Sequence, residues 1–338
     1  MKRILFYSSV NSLELFKTQK FYQIDISILK DLGYDVLLSN RIFDSLLFWK
    51  YDILFSYFYR YSFFAALLAK CFGKKTYFTG GIDSLDSDYA SAFNYKIQAL
   101  FFKLCYWVAD SCIIVSQSDL KNIFKVSSLK KKLSYSEHVI NTKLFIADVP
   151  KEKIFTSIVW MGDEGNVVRK GGDKALQIFA ELKKIPEFVD YRFVIIGRKG
   201  EGEVLVRSII DKYNLKGSVE LKGEVSEEDK INLLKQSKYY FQLSLYEGFG
   251  LAALEALCAN NIIIHSGKGG LANPIYKEQL LFDIDNDFDS ELLKLVNKLA
   301  CFTPITSYDN LLEYYDIQRR KDDFEAIIVN GKSNYKLK

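Results

Sequence analysis

Histidine, proline and paired cysteines are scarce in this chain. His138 and His265 are its two histidines in 338 residues, too few for a histidine-built metal cluster. The five cysteines are odd in number and scattered, without metal-type pairs, and read as reduced core residues of a cytosolic protein. Four prolines argue against long disordered linkers. No apolar run suits a membrane span: the richest window, Ile53 to Phe72, is interrupted by Arg60 and Lys70 and reads as a buried strand followed by a helix. After Met-Lys-Arg, the stretch Ile4-Leu5-Phe6-Tyr7 is too short for a signal-peptide core. Asp86-Ser87-Asp88 sits in a polar loop, where a turn explains it better than a metal site. No short-period repeat is visible.

What is present is a globular composition, 49% hydrophobic and 26% charged, at a length natural for two domains. Charge is uneven. Up to Pro150 there are 19 Lys and Arg against 13 Asp and Glu, and after it 27 against 29. The basic excess therefore lies in the first half, which is also rich in aromatics. That combination suits a solvated face on a buried-sheet domain, or contact with anionic lipid or an acidic polymer.

Short apolar runs alternate with helical spacing along the whole chain. Strands are expected at Arg3–Ser8, Val36–Leu38, Ile53–Ser56, Thr76–Thr79 and Cys112–Val115, with helices at Gln19–Leu32, Ser62–Cys71, Phe93–Ala109 and Asp119–Phe124. The polar stretch Asp148 to Lys153 marks a boundary. The pattern restarts with strands at Ser157–Gly162, Tyr191–Gly197, Val219–Leu221, Tyr239–Leu245 and Ile262–Ile264. Helices are expected at Asp173–Lys184, Val204–Tyr213, Ser226–Ser237, from Leu251 onward, and within Asp289–Leu299, with a terminal helix over Tyr308–Ala326. Such alternation implies an α/β fold of two doubly wound parallel-sheet domains. We expect domains at 1–150 and 151–315, with 316–338 as a terminal segment packing back on the first.

The most informative stretch is Tyr246-Glu247-Gly248-Phe249-Gly250-Leu251 through Glu255-Ala256. A strand leads into a glycine turn and then into strong helix formers, with two glutamates flanking the turn. Glycines at a helix start admit a ligand close to free backbone amides, which favour an anion such as a phosphate. Acceptor-only carboxylates suit sugar hydroxyls. Upstream, Arg169-Lys170-Gly171-Gly172 sets a basic turn before another helix. A basic turn and a carboxylate pair at strand ends fit a ligand with a diphosphate core and sugar ends. The plainer alternative is that Glu247 complements the helix dipole and Glu255 is a solvated helix residue.

In their order, these turns resemble the retaining glycosyltransferases of family 4, which have the GT-B fold of two facing Rossmann-like domains. The strand ends at Gly197 and Gly223-Glu224-Val225, and the segment Val139-Ile140-Asn141-Thr142-Lys143-Leu144-Phe145, stand in the family's order too. The resemblance implies that Glu247 contacts the donor sugar and that Lys170 neutralises the departing diphosphate, as catalytic residues. It implies a donor wall of Gly248, Phe249, Gly250 and Leu251, with Glu255 on the ribose and Val225 near the base. It also implies a nucleoside-diphosphate sugar as donor substrate with no metal or other cofactor. The partners would be that nucleotide sugar and a glycan or lipid-linked acceptor, met in the cleft between the domains, with no nucleic acid. The implied setting is cytoplasmic, on the inner membrane face if the first domain makes peripheral contact.

Three departures stand out. The glycine-rich first loop common in the family is absent, since Ser8-Ser9-Val10-Asn11 has no glycine. Asp163 occupies the place where the family usually has an arginine, and Arg169 is the cation at hand to replace it in donor binding. Gly80-Gly81-Ile82-Asp83 stands where the family often has a histidine, so Asp83 is a candidate on the acceptor side or a turn residue. An aspartate facing a diphosphate would repel it. Asp163 and the missing first glycine loop together keep a non-catalytic GT-B subunit that binds a partner or glycan as the alternative function.

Overall fold

The computed structural model describes residues 1–128, 130–146, 149–302 and 309–332. The chain divides into two compact units: Met1–Ile140 with the described part of Tyr314–Lys338, and Asn141–Glu313.

The first unit is built on six strands: β1 (Arg3–Ser8), β2 (Asp35–Ser39), β3 (Ile53–Tyr57), β4 (Lys75–Thr79), β5 (Ser111–Ile114) and β6 (Leu133–Tyr135). They form one parallel sheet in the order β2-β1-β3-β4-β5-β6. Every residue of β3 is buried, as expected of a strand covered on both faces. Helices α1 (Leu15–Thr18), α2 (Lys20–Asp31), α3 (Ser62–Cys71), α4 (Ala92–Val108) and α5 (Gln117–Val126) make the crossovers.

The second unit repeats the plan with β7 (Glu152–Ile158), β8 (Arg192–Ile196), β9 (Val219–Gly223), β10 (Ser237–Gln242), β11 (Ile262–His265) and β12 (Leu280–Leu281). Its order is β12-β11-β10-β7-β8-β9, again all parallel. Its helices are α6 (Glu164–Arg169), α7 (Gly172–Leu182), α8 (Glu203–Lys212), α9 (Glu227–Gln236), α10 (Leu251–Cys258) and α11 (Phe288–Cys301). Phe155 of β7 lies at the centre of the core, stacked on Tyr239 at 4.6 Å and Phe241 at 5.1 Å. From β7 the chain winds outward to β8 and β9, then returns to β10 on the other flank. The switch point therefore lies between β7 and β10, and ligands bind at such points, at strand C-terminal ends.

Three expectations need correction. The strand expected at Ser157–Gly162 is β7, which starts at Glu152, because Glu152 pairs with β10 and Ile154 with β8, and which ends at Ile158, short of Gly162; Asp148 lies outside the described residues. The strand expected to run to Leu245 ends at Gln242, leaving a longer loop before α10. The single terminal helix is two: α12 (Asp309–Tyr314) and α13 (Ile317–Phe324), with Asp316 capping the second through the Gln318 amide. Tyr308, where that helix was expected to begin, lies outside the described residues.

α13 is held to the first unit by Arg320, which is fully buried. Its guanidinium makes a two-pronged pair with Asp25 of α2, at 2.7 and 2.8 Å, and donates to the Glu137 carbonyl at 3.1 Å. Tyr57 of β3 donates to the same carboxylate.

Candidate active site

The site grows from the two turns flanking the β7–β10 switch point. α6 ends at Arg169 with Lys170 as its C-cap, and Gly171 follows at φ +69°, a conformation that favours glycine. A Cβ on Gly171 would lie 2.1 Å from the Leu243 carbonyl oxygen, so the turn packs directly on the chain leaving β10. The Leu245 amide donates to the Arg169 carbonyl at 2.9 Å and fastens the two segments. The close approach brings the Lys170 ammonium to 2.5 Å from Glu247 Oε1.

That oxygen also accepts hydrogen bonds from Gln242 Nε2 at 2.9 Å and Ser244 Oγ at 2.8 Å. Gln242 is itself oriented by the Tyr240 hydroxyl, which donates to its Oε1 at 3.1 Å. Burial holds the Tyr240 phenol well above its ordinary pKa, and the nearby Glu255 and Glu247 carboxylates add to the effect. Tyr240 therefore stays a donor. Glu247 Oε2 has no hydrogen-bond partner among the described residues, which leaves an acceptor for a ligand hydroxyl.

The loop after β11 closes over the Glu247 backbone. The Gly270 amide donates to the Glu247 carbonyl at 2.6 Å, and Ser266 Oγ to the Ser244 carbonyl at 2.6 Å. Gly248 is half-buried, and Phe249 is buried against Gly270. Gly250 adopts φ +88° and opens α10, so Leu251 begins a helix whose first amides lack intrahelical partners. Glu255, on the second turn of α10, is buried, and its Oε2 accepts from Lys230 Nζ of α9 at 2.7 Å. Val225 is half-buried, next to Ser226, whose hydroxyl caps α9 by accepting from the Asp229 amide.

Glu247, Lys170, Arg169 and the Gly248–Leu251 backbone thus come together, and Glu255 lies on α10, the helix that Leu251 opens. Asp83 belongs to the first unit, exposed at the start of a short turn after β4. Asp163, the residue expected to trouble an anion, is the N-cap of α6: its Oδ1 accepts from the Asn166 amide at 2.7 Å. Gln242, Ser244 and Lys230 were not singled out in the sequence. The first two alternate along the end of a run that reads as plain strand. Lys230 carries no local signal, being one lysine in a charged amphipathic helix. Among the described residues no cluster of His, Cys, Asp and Glu suits a metal ion.

This architecture is the GT-B fold. Over 98% of the chain it superimposes on the whole of the Anabaena Alr3699/HepE structure with UDP and glucose, with TM-score 0.72 and 12% identity. Over the same share it matches 97% of sucrose-phosphate synthase from Thermosynechococcus elongatus, with TM-score 0.66 and 16% identity. Residues 165–299 match the family model described as Glycosyl transferases group 1. The matched residues lie within the second unit.

Among similar curated proteins is the GDP-mannose:cellobiosyl-diphosphopolyprenol alpha-mannosyltransferase of Xanthomonas oryzae pv. oryzae. The two are 32% identical over 163 residues, 42% of this chain and 40% of that protein. Another is the phosphatidylinositol N-acetylglucosaminyltransferase GPI3 subunit of Saccharomyces cerevisiae, 27% identical over 129 residues, 38% of this chain and 28% of that one. The matches thus span less than half the length of these relatives.

Proposed function

We propose that this protein is a retaining glycosyltransferase. It moves a sugar from a nucleoside-diphosphate sugar to an acceptor hydroxyl, in the synthesis of a lipid-linked or cell-surface glycan. The observation that carries the reading is the Lys170–Glu247 pair at the β7–β10 switch point, beside the open N-terminus of α10. The named relatives support the acceptor class, since one acts on a diphosphopolyprenol saccharide and another on phosphatidylinositol.

In this reading the α10 amides and Lys170 face the diphosphate, Glu247 Oε2 accepts from a donor-sugar hydroxyl, and Glu255 accepts from the ribose. Arg169 and the backbone of Gly248, Phe249, Gly250 and Leu251 complete the donor wall, with Val225 toward the base. The bond from the anomeric carbon to the diphosphate oxygen breaks as that oxygen gathers charge, and Lys170 stabilises the charge. The acceptor oxygen bonds to the same carbon from the same face, and its proton passes to the departing phosphate oxygen. The products are the glycoside and the nucleoside diphosphate. Asp83 would serve the acceptor from the first unit. The cap role of Asp163, whose Oδ1 is committed to its own helix, supports the catalytic reading over a non-catalytic subunit, against which the glycine-free loop Ser8-Ser9-Val10-Asn11 still weighs.

Glu247→Gln should lower transfer by about a hundredfold or more while preserving the fold, and Lys170→Ala should lower kcat more than it changes KM. Both are measured by release of nucleoside diphosphate across a panel of nucleotide sugars. Full activity of Glu247→Gln would overturn the proposal.

A further inference from the structure

Helix α4 of the first unit presents an outer face that neither the fold nor the donor site explains. Phe93, Lys96, Leu100, Lys103 and Trp107 recur at alternating intervals of three and four, so they form one stripe along the helix. All five are exposed, and Phe93 and Trp107 are 73% and 68% accessible. The opposite face, with Gln98, Phe102 and Cys105, is buried. Neither α4 nor the adjoining α3 contains an acidic residue. On α3, exposed Phe64 meets Phe101 of α4 edge-on at 6.2 Å and extends the apolar surface sideways. Beyond the C-terminal end of the stripe, Lys132 donates to the Trp107 carbonyl at 2.8 Å. A recess of about 350 Å³, lined by Lys75, Lys131, Lys132 and Lys332 together with Asp110, opens nearby.

We infer that α4 lies flat on an anionic lipid bilayer, with its stripe in the headgroup layer. Large exposed apolar side chains in a row are unfavourable in water unless something covers them. The lysines between them decide what the cover is. A lysine stem follows an apolar surface while its ammonium reaches the lipid phosphates, and Trp and Phe favour that depth. A second copy packed by two-fold symmetry would set Lys96 and Lys103 against the same lysines with no acid to offset them, which opposes self-association through this face. At about 1.5 Å per residue the helix offers roughly 25 Å of in-plane contact. The inference deepens the lipid-linked acceptor proposed above and rests on it for its biological sense, but its test uses neither donor nor acceptor.

The test is flotation of the full chain with phosphatidylcholine vesicles containing or lacking phosphatidylglycerol. Binding should require phosphatidylglycerol and weaken with salt. Phe93→Ser with Trp107→Ser should reduce partitioning by at least about tenfold. Lys96→Gln with Lys103→Gln should blunt the preference for the anionic lipid. Circular dichroism and nucleotide-sugar hydrolysis in solution, unchanged in these variants, would show an intact fold and an independent donor site. Equal flotation of parent and Phe93→Ser/Trp107→Ser protein would overturn the inference. So would failure of the parent to bind anionic vesicles, or a parent dimer in solution that this double variant dissociates. Each of these outcomes leaves the Glu247 experiment untouched.

Discussion

Two carboxylates, Glu247 half-buried and Asp119 fully buried, show how placement sets the behaviour of an acid. Glu247 Oε1 accepts from a lysine, an amide and a hydroxyl. Asp119 of α5 has a different setting. Its Oδ1 takes the Ile82 amide at 3.3 Å, its Oδ2 has no partner among the described residues, and burial with the nearby charge of Asp83 raises its pKa to about 8. The unfolded chain loses this proton near the ordinary value of 3.8, whereas the folded chain keeps it to about 8. Between those values the folded state binds more protons, so each rise in pH costs stability. The contribution is fully present below about pH 4 and lost by about pH 8. Asp119→Asn keeps an acceptor for Ile82 and cannot ionise. Its melting temperature relative to the parent should climb as the pH goes from about 5 to about 8. A difference that is flat across that range would mean Asp119 ionises normally in the fold.

At the scale of elements, the site depends on two turns touching, and Gly171 makes that contact possible. Gly171→Ala combines a left-handed backbone with a Cβ driven into the Leu243 carbonyl. It should cost at least about 2 kcal/mol and displace Lys170 from Glu247, lowering transfer as well as stability. Gly217→Ala is the control: φ is +87° there, but the added Cβ meets nothing within 4 Å. It should cost about 1–2 kcal/mol and leave transfer unchanged, as chemical denaturation and turnover would show. Equal losses in both variants would mean that backbone strain, not the contact, governs the site. These elements differ in how far the sequence reveals them. Strands β1 to β5 and helices such as Ser62–Cys71 were readable because a buried parallel sheet demands unbroken apolar runs and its covering helices demand periodic ones. The Lys170 and Glu247 turns were readable because glycine, charge and a helix start coincide in each. Helix α6 was not, being six residues with a glycine, Gly165, inside it and one buried side chain, Val167. Nor was the pairing of Lys230 with Glu255, since it depends on α9 and α10 packing side by side, which no local pattern encodes.

For the molecule as a whole, the first unit is made from both ends of the chain. It is left at Ile140 and rejoined at Tyr314, where the Ile140 amide donates to the Tyr315 carbonyl at 3.0 Å. The return is secured by an ion pair with no access to water, Arg320 with Asp25. A buried pair adds little over an apolar replacement, because both charges are desolvated, but removing one partner strands the other. Arg320→Met should therefore destabilise the first unit by about 3–5 kcal/mol. Asp25→Leu combined with Arg320→Met should recover much of that loss, since no charge is then left unpaired. The two units have separate cores, so urea unfolding followed by hydrogen exchange should show protection lost across β1 to β6 and α13, with β7 to β12 unchanged. Loss of protection in both units together would show that Arg320 supports the fold of the entire chain. No loss in either would show that the terminal helix is held by its apolar contacts, Phe324, Ile327 and Ile328, without need of the charge.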